Sequence, residues 1–316
     1  LIQKISKNFM TKIIFLGTPE FALPILEKLI NSEYKPAAVF CAPDKPVGRQ
    51  QTLTPPPVKV LAQKYGLLVY QPANKKELTE QIAELKPGLI LSAAYGIIVP
   101  QEVLDAPKFS CLNIHPSLLP KYRGASPIQT AILNGDTESG TTIFKMDAKM
   151  DTGTIIAKET FPLSSQKLTT PELSKKLAEL SAGLLLNILP DWLAGKIKPE
   201  VQNEALASYS RIIAKEDGQI NWQKTAKEIE QQIRAFFPWP GSFSGQPKIK
   251  ILEAEASEKK YNKQIGEVFL TETNALAIQA GSGALIVKKL QAEGGKALLA
   301  EDFLRGHANI IGQILK

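Results

Sequence analysis

Asn113 and His115 stand two residues apart in the stretch NIHPSLLPKYRG, and Asp151 lies in the later stretch MDAKMDTG. Two apart on a strand, Asn113 and His115 face the same side. The amide of Asn113 offers a hydrogen-bond donor, and the imidazole of His115 takes up or gives up a proton near neutral pH. A carboxylate such as Asp151, set near a turn, can orient that imidazole or shuttle its proton. A structural role also fits each residue: histidines at strand ends are often hydrogen-bonded structural groups, and Asp before Thr-Gly is a common turn former. Spacing alone leaves both readings open. Ser117 lacks a Gly-x-Ser-x-Gly elbow, which excludes a serine hydrolase of that type. SLLPKYRG, with Pro120 and Gly124, also reads as a plain loop.

The elements that must hold these residues read as an alternating series. KIIFLG is a short apolar run ending in Gly17, and TPEFALPILEKLIN follows with helical spacing. AAVFCAPD, LLVYQP, GLILSAAYG and SCLNIH read as further strands, with VKVLAQKYG, KKELTEQIAEL and SPIQTAILNGD as helices. Buried strands alternating with helices predict an α/β fold with a doubly wound, mostly parallel sheet. In such sheets ligands sit beyond the carboxyl ends of the strands, which is where SCLNIH ends. After Gly135 the pattern changes to two strands around a turn, GTTIFKMDAKMDTGTIIAKE, and then a long helix, TPELSKKLAELSAGLLLNILPDWLAG, capped by Thr169 or Thr170. KIKPEVQNEALASYS is polar and irregular and reads as a linker. The remaining hundred residues carry a helix, AKEIEQQIRAF, and four short strand candidates between Gly, Asn and Ser turns, the pattern of a small β-barrel. The expected division is 10–195, 196–210 as linker, and 211–316. APDKPVGRQQTLTPPP (Ala42–Pro57) shows no obvious element, and a loop of that length in a compact domain is usually functional.

Composition narrows the function classes. At 316 residues, 44% hydrophobic and 22% charged, the chain can bury a sizeable core. No apolar run is long enough to span a bilayer. The leader LIQKISKNF is too short and too polar for a signal peptide and is set aside from the fold argument. Two cysteines, Cys41 and Cys111, lie in or beside apolar runs as small core residues, and no Cys-x-x-Cys or His-rich cluster points to a metal. A cytoplasmic protein without bound metal is expected. The net charge of +7 is compatible with a polyanionic partner, yet from Tyr209 onward there are 15 Lys and Arg against 12 Asp and Glu, so there is no basic tail. GTPEFA holds one glycine where a dinucleotide fingerprint needs three, so nicotinamide binding is not expected.

NIHPSLLPKYRGASPIQTAILNGD and GTTIFKMDAKMDTG resemble the signature of the folate-dependent formyltransferases. FLGTPEFA, PDKPVGR and AYGIIVP are similar to the branch that acts on methionyl-tRNA, and IRAFFPWPGSF is similar to the start of its C-terminal domain. The resemblance runs from Met10 to the C-terminus with motif order preserved. It implies a Rossmann-like formyltransferase domain, followed by a domain similar to an oligonucleotide-binding (OB) barrel that contacts tRNA. It implies transfer of a formyl group from 10-formyltetrahydrofolate to the α-amine of initiator methionyl-tRNA, by a chain that is expected to be monomeric. The catalytic set implied is Asn113, His115 and Asp151, with fixed donors on the developing oxyanion and His115 in a proton relay. Which of His115 and Asp151 carries each proton stays open. The folate contacts implied are Ser117, Leu118, Leu119 and Pro120, with Tyr95 and Gly96 of AYGIIVP. The loop meeting the tRNA acceptor end falls on Asp44–Lys59, with Arg49, Lys45 and Lys59 as its cations; Lys248, Lys250, Lys288 and Lys289 are candidates in the barrel. The chain departs from the pattern at Gln50 and Gln51, where more glycine and basic character is expected, and at Phe237, where Asn is usual. A glycinamide ribonucleotide formyltransferase, a sugar-nucleotide N-formyltransferase and a non-catalytic RNA-binding module are the rival readings. The first would need neither the barrel nor the 42–57 loop, and the intact catalytic set argues against the last.

Overall fold

The computed structural model describes residues 11–48, 50–164, 166–245 and 248–316. The described chain falls into two compact units. Unit 1 takes residues up to Arg123 with Gly140–Phe161 and Ser174–Tyr209; unit 2 takes Gly124–Ser139, Pro162–Leu173 and Ser210–Lys316. Residues 196–209, read from composition as a linker, lie within unit 1.

In unit 1 the first buried run forms β1 (Ile13–Gly17), followed by α1 (Ala22–Ile30) and β2 (Ala38–Phe40). The stretch from Ala42 to Pro57 is not free of structure. It contains β3 (Lys45–Val47) and β4 (Thr52–Thr54), an exposed antiparallel ribbon with Lys45 opposite Thr54. Pro46 is tolerated because a two-stranded ribbon has free edges where a missing N–H costs nothing. Next come α2 (Pro57–Lys64), β5 (Leu68–Tyr70), α3 (Lys75–Leu85), β6 (Leu89–Ala93), α4 (Gln101–Asp105) and β7 (Cys111–His115). Asn74 caps α3 by accepting from the Glu77 N–H. Further along the chain lie β8 (Arg123–Gly124), α5 (Pro127–Leu133), which belongs to unit 2, β9 (Glu138–Lys145), β10 (Ile155–Pro162), α6 (Thr170–Leu193) and β11 (Tyr209–Ser210).

The seven-stranded sheet runs β10-β9-β7-β6-β1-β2-β5. The ladders joining β7, β6, β1, β2 and β5 are parallel, and β9 joins β7 antiparallel. The expected doubly wound sheet is therefore present. β1 and β6 are buried at every position, which is why both read as unbroken apolar runs. The order reverses between β1 and β6, and the glycine of FLGTPEFA sits at that switch. A Cβ on Gly17 would meet the Phe15 ring at 2.7 Å, the Ala22 methyl at 2.9 Å and the Ala93 carbonyl at 3.1 Å. Its role is close packing of strand against strand and helix.

Unit 2 carries α7 (Ala226–Ala235), β12 (Ser242–Ser244), β13 (Ile249–Ser257), β14 (Val268–Leu270), β15 (Leu276–Gln279), β16 (Ala284–Ala292), β17 (Ala297–Leu299) and α8 (Ala300–His307). Thr225 and Glu228 close a capping box at the start of α7. The strands form a six-stranded antiparallel sheet, β12-β13-β16-β15-β14 with β17 on β16, where the sequence predicts a small barrel. Ile229 and Ile233 of α7 and Phe303 of α8 join Ile251, Ile278, Leu285 and Leu290 in its core. Among the described residues no helix is long and apolar enough to cross a membrane.

Candidate active site

β7 delivers the site. Leu112 and Ile114 are buried, while Asn113 and His115 share the other face, with Asn113 half-buried and His115 4% exposed. The ladder sets Asn113 between Ser92 of β6 and Phe144 of β9. Among the described residues none hydrogen-bonds the Asn113 amide, so its donors are available to a ligand. His115 is hydrogen-bonded at Nε2 and faces a carboxylate at Nδ1. Its Nε2 lies 2.9 Å from the Tyr122 carbonyl oxygen, and its Nδ1 lies 3.6 Å from Asp151 Oδ2. A carbonyl oxygen can only accept, so Nε2 carries the proton in that contact. Nδ1 is then the ring nitrogen able to take up a proton, and that proton would point at the Asp151 carboxylate. Asp151 arrives from the turn between β9 and β10, in the left-handed region at φ 56°, a conformation Asp tolerates better than most residues.

The segment after His115 is locked by β9. The fully buried Thr142 hydroxyl donates to the Ser117 carbonyl at 2.7 Å and accepts from the Leu119 N–H at 3.0 Å. Ser117 Oγ donates to the Lys121 carbonyl at 2.6 Å, and Leu119 is wholly buried with Phe144 and Ile155. Leu118 and Pro120 keep half-exposed surfaces. Ser117 and Leu119 thus shape the turn, and Leu118 and Pro120 are the parts a ligand can touch.

Tyr95 and Gly96 behave differently from each other. Gly96 follows β6 at φ 80° with open space where a side chain would stand, and Ala94 beside it is also exposed. Tyr95 is 3% exposed and packs with Ile90, Val103 and Cys111. Among the described residues its buried hydroxyl has no hydrogen-bond partner, and burial raises its pKa. Ala94 and Gly96 at the end of β6 are thus exposed, whereas the Tyr95 side chain is core. Burial also pushes the Cys41 thiol up to about 11 and the Cys111 thiol up to about 12, as inert core cysteines require. Among the described residues no group of three His, Cys, Asp or Glu could hold a metal ion.

The candidate tRNA cations are dispersed. Arg49 lies outside the described residues. Lys45 is exposed on β3. Lys59 spends its three protons on Asp44 Oδ1 and Oδ2, both at 2.8 Å, and on Gln71 Oε1 at 2.7 Å. That hold lowers the Asp44 pKa, through the Lys59 and Gln71 hydrogen bonds first. Lys59 therefore braces the base of the 42–57 stretch, which spacing could not foretell. In unit 2 Lys248 pairs with Glu293 at 2.6 Å, Lys288 pairs with Glu255 at 3.1 Å, and the Lys250 stem covers Gly241.

Two residues near the site escape sequence reading. Arg123 is fully buried, donating from Nη2 and Nη1 to the two carboxylate oxygens of Glu204 at 2.7 and 2.9 Å. Its hydrogen bonds to Glu204 raise its pKa and lower that of Glu204. Gln202, in the stretch read as a linker, is 5% exposed and also bonded to Arg123. A charged residue in YRG and a glutamine in a polar run give no hydrophobic period by which their burial could be read.

A formyl transferase model matches residues 11–189, and the model of the formyl transferase C-terminal domain matches 212–308. The chain belongs to the formyl transferase family. It is 44% identical over 305 residues to the methionyl-tRNA formyltransferase of Dehalococcoides mccartyi strain 195, covering 95% of this chain and 97% of that one. The methionyl-tRNA formyltransferase of Rickettsia bellii is 44% identical, over 93% of this chain and 96% of that protein. Among solved structures, the N-formyltransferase of Helicobacter canadensis in complex with folinic acid and dTDP-3-aminofucose superposes with TM-score 0.67 at 25% identity, over 88% of this chain and 98% of that one. HypX of Aquifex aeolicus in complex with tetrahydrofolic acid shares the fold, with TM-score 0.62 at 20% identity. The match covers 93% of this chain, which spans about half, 47%, of HypX.

Proposed function

We propose that this chain transfers the formyl group of 10-formyltetrahydrofolate to the α-amine of initiator methionyl-tRNA. The observation that carries the reading is the end of β7, where the available Asn113 amide shares a face with an imidazole held between the Tyr122 carbonyl and Asp151. The similarity to methionyl-tRNA formyltransferases at 44% identity over 95% of the chain supports the acceptor. The donor supplies an activated formyl carbon. Asn113 donates to the negative charge that grows on the formyl oxygen as the amine attacks. The amine must lose a proton and the departing folate nitrogen must gain one. His115 Nδ1 is the group able to take up the proton that the amine loses, Asp151 steadies the imidazolium that results, and the imidazolium returns that proton to the departing folate nitrogen. The exposed backbone at Ala94 and Gly96, with Leu118 and Pro120, fits the folate.

In this reading 10–195 carries catalysis and 211–316 contacts tRNA, with 196–210 between them in sequence. Lys45 and Arg49 serve the acceptor end, Lys248 and Lys250 serve the tRNA body, and Lys59 supports the loop through Asp44. A single chain in the cytoplasm is the working form. The test is a labelled-formyl assay with initiator methionyl-tRNA, elongator methionyl-tRNA, free amines and an aminosugar nucleotide. Transfer to initiator methionyl-tRNA far above the others is expected. Transfer to the aminosugar nucleotide with none to methionyl-tRNA would overturn the reading in favour of the chemistry of the Helicobacter neighbour.

A further inference from the structure

We propose that Gln202 is a positioning residue for the His115–Asp151 pair, with Arg123 fixing which way its amide faces. The inference rests on the site reading above. Two non-glycine residues beside His115 adopt left-handed backbone: Tyr122 at φ 60° and Asp151 at φ 56°. Tyr122 supplies the carbonyl on Nε2, and Asp151 supplies the carboxylate near Nδ1. Conformations of this kind persist where surrounding structure over-determines them.

The over-determination comes from residues 202–208. Gln202 Nε2 donates to the Asp151 carbonyl and to the Gly153 carbonyl, both at 2.8 Å. It clasps both ends of the turn that presents Asp151. The opposite side of that turn is pressed on the strand before it, since a Cβ on Gly153 would overlap the Lys145 carbonyl. Gln202 Oε1 accepts from Arg123 Nε at 3.0 Å and from Nη2 at 2.9 Å. A guanidinium has donors and no acceptor, so the glutamine oxygen must face Arg123 and its NH2 must face the turn. Glu204 balances the buried charge. The same short segment holds Tyr122: its N–H donates to Ser208 Oγ at 3.0 Å, and the Arg123 N–H donates to the Ser208 carbonyl at 2.9 Å. The carbonyl that fixes the tautomer of His115 and the turn that aims Asp151 are thus tied to one buried node.

Gln202→Glu tests this. It keeps the shape and the acceptor for Arg123 and removes both donors to the turn. The full-length variant should lose about ten- to hundred-fold in kcat, the scale of a small misplacement of reacting groups. KM for both substrates should stay within about twofold; the unfolding temperature should fall, because two buried carbonyls lose their donor, so kcat is read well below it and per folded molecule. The chain has two histidines, so 15N-histidine NMR reads His115 directly once His307→Gln assigns the other signal. The ring-nitrogen shifts of His115 should move in Gln202→Glu. Wild-type kcat with unmoved His115 resonances would overturn the proposal, as would a rate loss that only tracks the unfolded fraction. Failure of the site reading is distinguishable: His115→Ala would then retain activity, while the NMR readout of Gln202→Glu would still report on positioning.

Discussion

The carboxyl edge of the parallel sheet and the face of the antiparallel sheet treat charge in opposite ways. Around the end of β7 three contacts each join a buried side chain to a backbone group: His115 to the Tyr122 carbonyl, Thr142 to the Leu119 N–H, and Gln202 to the carbonyl of Asp151, while the half-buried Asn113 amide is left to a ligand. On the antiparallel sheet and in the loops beside it the charges are exposed pairs, Lys288 with Glu255 on the strands, and Lys248 with Glu293 and Lys259 with Glu272 just outside them. Buried, singly determined groups cannot be replaced without moving their neighbours, whereas exposed pairs contribute little to stability and are screened by salt. The first region should control rate and the second affinity.

The largest effects should fall on the proton relay. His115→Ala and Asp151→Asn should each lower the rate by about 10²–10⁴, the range for general acid–base groups. The double variant should be little worse than either, because groups acting as one unit are non-additive. Losses that multiply in single-turnover measurements would assign the two residues separate roles.

Thr142→Val comes next. It leaves the Leu119 N–H without its buried partner, at a cost of about 1–3 kcal/mol. Thermal unfolding should show that loss, and donor titration should show weaker binding, since the 117–120 turn loses its anchor. Unchanged unfolding and donor affinity would mean that β9 does not hold the turn.

The lysine face should respond more mildly. Lys248→Ala with Lys250→Ala should leave the rate at saturating tRNA unchanged and reduce the salt slope of tRNA binding by about 0.7–0.9 for each phosphate that is no longer neutralised. An unchanged slope would remove both lysines from the tRNA surface.

The smallest effect concerns acid. Several unit 2 carboxylates are held below their ordinary values: Asp217 by Arg211 and then the Ala214 N–H, Glu228 by Thr225, Glu267 by the Gln264 N–H, and Glu272 by Lys259. A carboxyl whose folded pKa is depressed binds fewer protons folded than unfolded, so its stabilisation is complete above the unfolded value and lost as pH falls. With ordinary values of 4.5 for Glu and 3.8 for Asp, the denaturant midpoint should hold from pH 7 to about 5 and fall below that. Glu228→Gln should shrink the fall slightly; an identical profile would show that the α7 cap contributes nothing.

Much of this was legible in the sequence, for physical reasons. β1 and β6 are wholly buried runs, and α7 announces itself by Thr225 and Glu228 three residues apart. Asn113 and His115 declare a shared face through the two-residue period of a strand. Their meeting with Asp151 was not legible from spacing, since it depends on β9 pairing antiparallel with β7. Prolines hid the β3–β4 ribbon. Gln202 and Arg123 were invisible because buried polar residues leave no periodic signal, and a polar run reads as a linker until its partners are seen.

Asn113 gives the cleanest test of whether the end of β7 performs the transfer, because no described residue depends on its amide. The measurement is the single-turnover rate of formyl transfer to methionyl-tRNA by Asn113→Ala, with both substrates saturating and folding checked by thermal unfolding. A folded protein with unchanged donor affinity and a rate lower by about 10²–10³, the cost of one oxyanion donor, is expected. A folded variant transferring formyl at the wild-type rate would contradict transfer at the end of β7.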